Sequence, residues 1–228
     1  TKYYANNKKQ SYKQTFSWAD KNNKNITQLD AFTNESLERC HISKMICKYV
    51  VLAETDKILM VLRPYQYFAA EAIIERVTDS NKNGYIWHTT GSGKTLTSFK
   101  AAQVLMKLPQ VHKVVFVVDR KDLDYQTQKE FNNFSEGSVD GTDNTRALVK
   151  QFSDDTQLIV TTIQKLNGAI SRDKYIKTME PLTAQPIVFI FDECHRSQFG
   201  ETHLKINKFF KNNQMIGFTG TPIFPENA

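Results

Sequence analysis

Five short apolar runs recur along the chain, and helical patterns separate them. Val114 to Val118, for example, is unbroken by any polar residue and ends at a polar turn. Continuous apolar strands that alternate with helical patterns are typical of a parallel sheet covered by helices on both faces. The predicted strands are residues 85–87, 113–119, 157–162, 186–192 and 214–218. The pattern therefore predicts an α/β fold.

Apolar residues at three- and four-residue spacing predict the helices. Pro64 stands at a favourable first-turn position in one of them. The predicted helices are residues 30–51, 64–77, 96–108, 123–134, 163–170 and 203–211. Residues 135–150 and 171–185 are predicted to be loops or short helical insertions. Residues 1–30 are rich in Asn, Lys and Gln but contain several aromatics, so we expect an irregular or short-strand segment packed on a neighbour.

A glycine-rich sequence, Gly84-Tyr-Ile-Trp-His-Thr-Thr-Gly-Ser-Gly-Lys-Thr, connects the first predicted strand to a helix. This is the strand–loop–helix context that a phosphate-binding loop requires, although His88 stands where the common pattern has Gly. Glycines let backbone N–H groups approach phosphate oxygens, and the helix N-terminus favours an anion there. The residues predicted to bind a nucleoside triphosphate are Thr90, Gly91, Ser92, Gly93, Lys94 and Thr95. Lys94 would reach the β- and γ-phosphates, and Thr95 would ligate Mg²⁺.

Two carboxylates, Asp192 and Glu193, follow the apolar run that ends at Phe191. Ligands of parallel sheets collect at the carboxyl ends of the strands, which is where every candidate motif in this chain falls. Asp192 is therefore predicted to help hold Mg²⁺. Glu193 would polarise the attacking water as a general base.

Composition adds few constraints. The net charge is +6, and residues 1–29 carry six Lys against one Asp, or +5. Such a basic leader could touch nucleic acid, but a solvated surface is the reading we favour.

The three cysteines, Cys40, Cys47 and Cys194, show no metal spacing. We expect the first two on a buried helix and the protein in the reducing cytoplasm. No apolar run approaches the roughly 20 residues of a membrane helix.

The motifs resemble those of superfamily 2 helicases and translocases. Asp192-Glu-Cys-His195 looks like their D-E-x-H motif, and Phe218-Thr-Gly-Thr-Pro222 looks like their third motif. Gln66, behind Arg63-Pro-Tyr, resembles the glutamine motif that reads adenine, with Arg63 nearby. The resemblance implies that His195, Thr219 and Thr221 couple the nucleotide site to nucleic acid, and that Arg120, Lys121, Thr162 and Gln164 contact the DNA backbone. A structural histidine and solvated turns remain the alternatives at these positions.

The sequences of three motifs resemble one family more closely, the motor (restriction) subunits of type I restriction–modification enzymes. These are His88 to Ser98, Asp192 to Gly200 and Phe218 to Pro222. The resemblance implies a RecA-like lobe that uses ATP and Mg²⁺ to move double-stranded DNA, in a complex with methyltransferase and specificity subunits. Residues 61–228 would form this lobe, and residues 1–60 a connector that follows a nuclease domain absent from this segment. This lobe alone is expected to turn ATP over poorly, because a second lobe would supply an arginine finger worth on the order of 10³–10⁵ in rate.

Two other functions remain open at this point. One is a different DNA or RNA helicase of superfamily 2, whose lobe would look alike. The other is a nucleotide-dependent switch that never hydrolyses ATP. The presence of Glu193 argues against a switch, because a protein that only binds nucleotide has no need of a general base.

Overall fold

The computed structural model describes residues 3–4, 15–89, 91–118, 121–134, 144–192, 194 and 199–220, without the side chains of residues 3–4, 121–126, 134 and 199–201. The N-terminal part consists of short elements. In chain order they are β1 (Tyr3–Tyr4), β2 (Thr15–Phe16), β3 (Trp18–Ala19), β4 (Asn25–Ile26), α1 (Leu29–Ser36), α2 (Arg39–Lys44), a π-helix (Met45–Tyr49), β5 (Val51–Ala53) and β6 (Ile58–Met60). β1–β2, β3–β4 and β5–β6 are three antiparallel pairs.

The remaining elements alternate between helices and strands. They are α3 (Pro64–Asp79), β7 (Gly84–Trp87), α4 (Lys94–Leu105), β8 (Lys113–Val118), α5 (Lys121–Phe134), α6 (Thr145–Ser153), β9 (Leu158–Thr162), α7 (Ile163–Ser171), α8 (Asp173–Met179), a 3₁₀ turn (Glu180–Leu182), β10 (Ile187–Phe191), α9 (Phe199–Phe209) and β11 (Asn213–Thr219). Five of the strands form one parallel sheet in the order β7-β11-β10-β8-β9. The predicted α/β class and its parallel sheet are confirmed.

β8, β9 and β10 are buried along their whole length, whereas Tyr85 and Trp87 of the edge strand β7 are exposed. Strand alternation divides the buried side chains between two cores. In β8, Phe116 packs with the core formed by α3, α4 and α5, whereas Val115 and Val117 pack with the core under α6, α7 and α9. Successive side chains of a strand point to opposite faces, so a strand covered on both sides needs apolar residues throughout. This is the physical origin of the unbroken apolar runs.

The helix predicted over residues 30–51 is wrong as a single element. The chain breaks after Ser36 and starts again with Glu38 as the N-cap of α2, where the Glu38 carboxylate accepts a hydrogen bond from the His41 N–H at 2.8 Å. It then continues as a π-helix and ends in β5. The expectation that Cys40 and Cys47 are buried is also wrong, because both are exposed. A helical spacing of apolar residues cannot by itself show which of them face the core.

The N-terminal part packs directly against the helices that flank the phosphate loop. Trp18 and Tyr49 are buried in the same core as α3 and α4. Glu71 of α3 accepts hydrogen bonds from the Lys44 ammonium and the Tyr49 hydroxyl. Lys100 of α4 donates to the Val50 carbonyl at 3.0 Å. Within the predicted segment 1–30, the described residues include the short strands β1 to β4, and Trp18 of β3 packs in the core with α3, as expected. The domain boundary at residue 60 stays a prediction.

Candidate nucleotide-binding site

The sheet order brings the predicted motifs to one edge. β7, β11 and β10 lie side by side, and the segments that follow them are joined by backbone hydrogen bonds. The His88 N–H donates to the Thr219 carbonyl at 2.8 Å, and the Cys194 N–H donates to the Phe218 carbonyl at 3.0 Å. The residue after β7 is therefore bonded to Thr219 of the third motif. Phe218 of the same motif is bonded to Cys194, the residue after Asp192-Glu193.

The loop before α4 has the backbone of a phosphate cradle. Gly91 and Gly93 have φ angles of +77° and +81°, in the left-handed region that side chains rarely adopt. A Cβ at Gly93 would lie 2.5 Å from the Gln66 Nε2 atom, whereas a Cβ at Gly91 would meet nothing within 4 Å. Gly93 therefore allows a close approach of α3, and Gly91 leaves open space at the N-terminus of α4. Open space at a helix N-terminus fits a phosphate group.

Two opposite charges face each other across this edge. The Lys94 Nζ atom lies 3.9 Å from the Asp192 Oδ1 atom, and their side chains are 12% and 26% exposed. Lys94 is the first residue of α4, and Thr95 is half-buried in the same turn. The ammonium is suited to an anion, and the carboxylate and the hydroxyl are oxygen ligands of the kind Mg²⁺ prefers. These residues fit a nucleotide with its metal ion.

Gln66 contacts the phosphate loop. Its Oε1 atom accepts from the Arg63 N–H at 2.9 Å, and its Nε2 atom lies 3.2 Å from the Ser92 carbonyl and 3.3 Å from the Gly93 carbonyl. The Tyr65 hydroxyl also donates to the Ser92 carbonyl, at 2.9 Å. Both ends of the Gln66 carboxamide are thus engaged by the protein chain. The predicted reading of adenine by Gln66 stays a prediction.

Arg63 links the site to the N-terminal part. Its guanidinium lies over the Phe16 ring, with 4.0 Å between its central carbon and the ring centroid, and its Nη1 atom lies 3.4 Å from the Tyr65 hydroxyl. An arginine stacked on an aromatic face in this way is attracted to the ring by cation–π interaction. The sequence offered no signal for this contact, because the two residues are far apart along the chain.

His88 is buried beside the loop, although the common phosphate-loop pattern has Gly at this position. Its Nδ1 atom lies 3.0 Å from the Ser92 Oγ atom, and its ring packs against those of Tyr65 and Phe218. Burial, with a smaller contribution from Lys94, lowers the pKa of His88. The imidazole is therefore neutral at physiological pH. Tyr65 and His88 lie within the sequence motifs, but the motifs assign neither of them a role in the site.

The residues predicted to contact the DNA backbone differ in exposure. Thr162 is fully buried, and its hydroxyl caps α7 by accepting from the Lys165 N–H at 3.2 Å. Gln164 is exposed in the first turn of the same helix. Thr219 is buried at the end of β11. These DNA-contact and coupling roles stay predictions.

Other predicted site residues lie outside the described part of the chain: Thr90, Arg120, Glu193, His195 and Thr221. Lys121 is the first residue of α5, and the structure describes its backbone but not its side chain. Among the described residues, no group of three or more His, Cys, Asp or Glu side chains could hold a metal ion. A Mg²⁺ ion in a phosphate site needs no such group, since one or two protein ligands join the phosphates. None of the helices in the described ranges is long and apolar enough to cross a membrane.

Comparison with known proteins identifies the family. A family model for the SWI2/SNF2 ATPases matches residues 65–228. The putative type I restriction enzyme endonuclease subunit, C-terminal part, of Mycoplasma pneumoniae is 45% identical over 206 residues, which are 85% of this chain and 99% of that one. The chain belongs to the type I restriction enzyme endonuclease subunits, in their SWI2/SNF2 ATPase region.

Longer relatives match this chain over part of their own length. A type I restriction enzyme endonuclease subunit of Staphylococcus saprophyticus is 55% identical over 229 residues, or all of this chain and 24% of the relative. The chain thus spans about a quarter of that relative's length. A solved structure of a nuclease-deletion mutant of the Type ISP restriction-modification enzyme LlaGI, in complex with a DNA substrate mimic, matches 72% of this chain and 18% of its own. Its TM-score of 0.55 at 24% identity supports the RecA-like fold.

Proposed function

We propose that this chain binds ATP with Mg²⁺ at the carboxyl edge of its sheet and hydrolyses it as part of a double-stranded DNA translocase. The observation that carries the proposal is the meeting of three segments at that edge, with Lys94 facing Asp192 at 3.9 Å. Membership of the SWI2/SNF2 ATPases, a family named for ATP hydrolysis, supports the same chemistry.

The residues divide the work of phosphoryl transfer. Backbone N–H groups of the loop and Lys94 hold the phosphates, and Thr95 and Asp192 would hold the metal ion. Mg²⁺, when bound, neutralises charge that develops on the phosphate oxygens. Glu193, next to Asp192, would take a proton from the water that attacks the γ-phosphorus, while the bond to the β–γ bridging oxygen breaks. The products are ADP and inorganic phosphate.

We further propose that duplex DNA is the track and that methyltransferase and specificity subunits are the partners, in the cytoplasm. The LlaGI structure, which holds a DNA substrate mimic, supports DNA as the ligand class. A translocase must tolerate every sequence it crosses, so contacts to the backbone without base readout are expected. The exposed Gln164 lies at the N-terminus of α7, where a phosphate is favoured.

The test measures ATP turnover by the full-length subunit, with duplex DNA or single-stranded RNA added. Lys94→Ala and Asp192→Asn should each lower turnover at least 100-fold, an order-of-magnitude expectation for loss of a phosphate or metal contact. Lys107→Ala, which removes a lysine just beyond α4, is the matched control and should retain the wild-type rate. Stimulation by duplex DNA alone supports a DNA translocase. Stimulation by RNA alone would instead support an RNA helicase of the same superfamily.

A second variant separates hydrolysis from switching. Glu193→Gln should keep the affinity for ATP and lose turnover, because the amide cannot accept the proton. Wild-type turnover in Glu193→Gln would contradict the assigned base, and an absence of turnover in the wild type with ATP bound would favour a switch. The lobe alone should be slow even with DNA, since the arginine finger of a second lobe would be missing.

A further inference from the structure

His88 is held on three sides at the start of the phosphate loop. It is 5% exposed, and its backbone N–H is bonded to Thr219 of β11. Its ring centroid lies 5.3 Å from that of Tyr65 and 6.3 Å from that of Phe218. One residue therefore contacts the start of α3, the end of β11 and, through Ser92, the loop itself.

The hydrogen bonds of Ser92 decide which His88 nitrogen carries the proton. The Ser92 hydroxyl donates its single hydrogen to the Thr89 carbonyl. With that hydrogen used, we assign the His88 Nδ1 atom, 3.0 Å from the same oxygen, as the donor of the second bond. The Nε2 atom is left as a buried acceptor with no hydrogen-bond partner among the described residues. A buried nitrogen without a partner costs stability. Among the described residues, the contact with Ser92 is the side-chain hydrogen bond that His88 makes.

Ser92 receives hydrogen bonds from three side chains that surround the phosphate loop. Its carbonyl accepts from the Tyr65 hydroxyl and the Gln66 amide, and its hydroxyl accepts from His88. Tyr65 and Gln66 belong to α3, whereas His88 is bonded to β11. Without the His88 side chain, Ser92 would keep its hydrogen bonds to α3 but lose its bond to the residue that is joined to β11. Glycine at position 88 could not make this connection, because it has no side chain.

We propose that His88 is a positioning residue that holds the phosphate loop, through Ser92, in a fixed position relative to β11. The inference rests on the proposed function, since the loop must match the phosphates of ATP. The common phosphate-loop sequence has Gly at this position and therefore no side chain that could perform this role. Ser92 is then connected to Thr219 by two bonds of one residue, the side-chain bond from His88 to Ser92 and the bond from the His88 N–H to the Thr219 carbonyl.

The test is a double-mutant cycle in the full-length subunit. His88→Phe keeps an aromatic ring for Tyr65 and Phe218 but cannot donate to Ser92, Ser92→Ala removes the other partner, and the double variant removes both. Affinity for a fluorescent ATP analogue should fall about fivefold to tenfold in each single variant, the equivalent of one hydrogen bond of about 1 kcal/mol. The double variant should be no weaker than either single variant, because both delete the same contact.

Two further measurements separate positioning from a general loss of structure. His88→Asn can place an amide N–H near the Nδ1 position and should restore affinity to within about twofold of the wild type. Without nucleotide, the Ser92 amide should exchange its hydrogen about five to ten times faster in His88→Phe, with the melting temperature of the subunit unchanged.

The outcomes distinguish this inference from the proposed function. The inference is overturned if Lys94→Ala abolishes ATP binding while His88→Phe behaves as wild type. It is equally overturned if the losses in His88→Phe and Ser92→Ala add, or if His88→Asn is as impaired as His88→Phe. If no variant affects ATP binding because the wild type does not bind it, the proposed function fails. The exchange rate of the Ser92 amide then still decides whether His88 braces the loop.

Discussion

Lys100 offers a prediction in which burial and hydrogen bonding act against each other. It is 6% exposed, and its ammonium donates to the Val50 carbonyl at 3.0 Å and to the Gln103 Oε1 atom at 2.8 Å. Burial, with a smaller contribution from Lys107, lowers the pKa of Lys100 from 10.5 to about 8. The folded chain at pH 7 therefore carries a charge in a site that disfavours it.

The sign of the pH dependence follows from this shift. The unfolded chain binds the Lys100 proton more tightly than the folded chain does, so the free energy of unfolding rises as the pH goes from about 8 towards 10.5. The fall in pKa corresponds to roughly 3 kcal/mol, at about 1.4 kcal/mol per tenfold change in dissociation constant. About 2 kcal/mol of this should be recovered between pH 7 and about pH 9.5.

Lys100→Met removes the charge but leaves the Val50 carbonyl without its donor, which costs about 1–3 kcal/mol. The two effects nearly cancel at pH 7, so the slope with pH is the informative quantity. We would measure urea unfolding of the 228-residue chain between pH 7 and about pH 9.5, with Lys205→Met as an exposed control. Relative to Lys100→Met, the wild type should gain about 2 kcal/mol over this range. A difference that stays constant to within about 0.5 kcal/mol would refute the assigned pKa and its cause.

Two more predictions concern close contacts. Gly217→Ala should lower ATP turnover of the full-length subunit by about tenfold or more, because a Cβ there would lie 2.6 Å from the Cys194 Sγ atom and 3.0 Å from its Cβ atom. The second substitution Cys194→Gly should restore turnover, and a double variant as slow as Gly217→Ala would disprove the steric cause. Glu71→Gln should lower the free energy of unfolding of the chain by about 1–2 kcal/mol, because Lys44 and Lys48 lose the carboxylate they both face. Glu75→Gln on the exposed side of α3 is the control for urea unfolding, and equal losses in both variants would contradict the role of Glu71.

The main sheet and the phosphate loop were predictable from the sequence because their determinants are local. A strand buried on both faces needs apolar residues at every position, and the run from Val114 to Val118 has them. A left-handed turn before a helix needs glycine, and Gly91 and Gly93 supply it at φ angles of +77° and +81°. The family resemblance could be found for the same reason, since its motifs are short runs of neighbouring residues.

The N-terminal part was predicted less well because its signals conflict. Leu37, Ile42 and Ile46 lie on the helical spacing, yet they are 47%, 37% and 63% exposed. Glu38 interrupts the helix by capping α2, and a carboxylate in that position carries no distinctive sequence signal. The β5–β6 hairpin was missed because each strand has only three residues. Short elements depend on the surface they pack against more than on their own pattern.

The sequence by itself determined which residues form the strands of the five-stranded sheet, where the phosphate loop can turn left-handed, and which polar residues follow those strands. The tertiary structure alone decided the strand order β7-β11-β10, and with it the 3.9 Å approach of Lys94 to Asp192. It also decided that Gln66 and His88 meet at Ser92. The physical reason is that strand and turn preferences act between neighbours in the chain. Side-chain partners from different elements are chosen only when the two cores pack and every buried polar group must find a hydrogen bond.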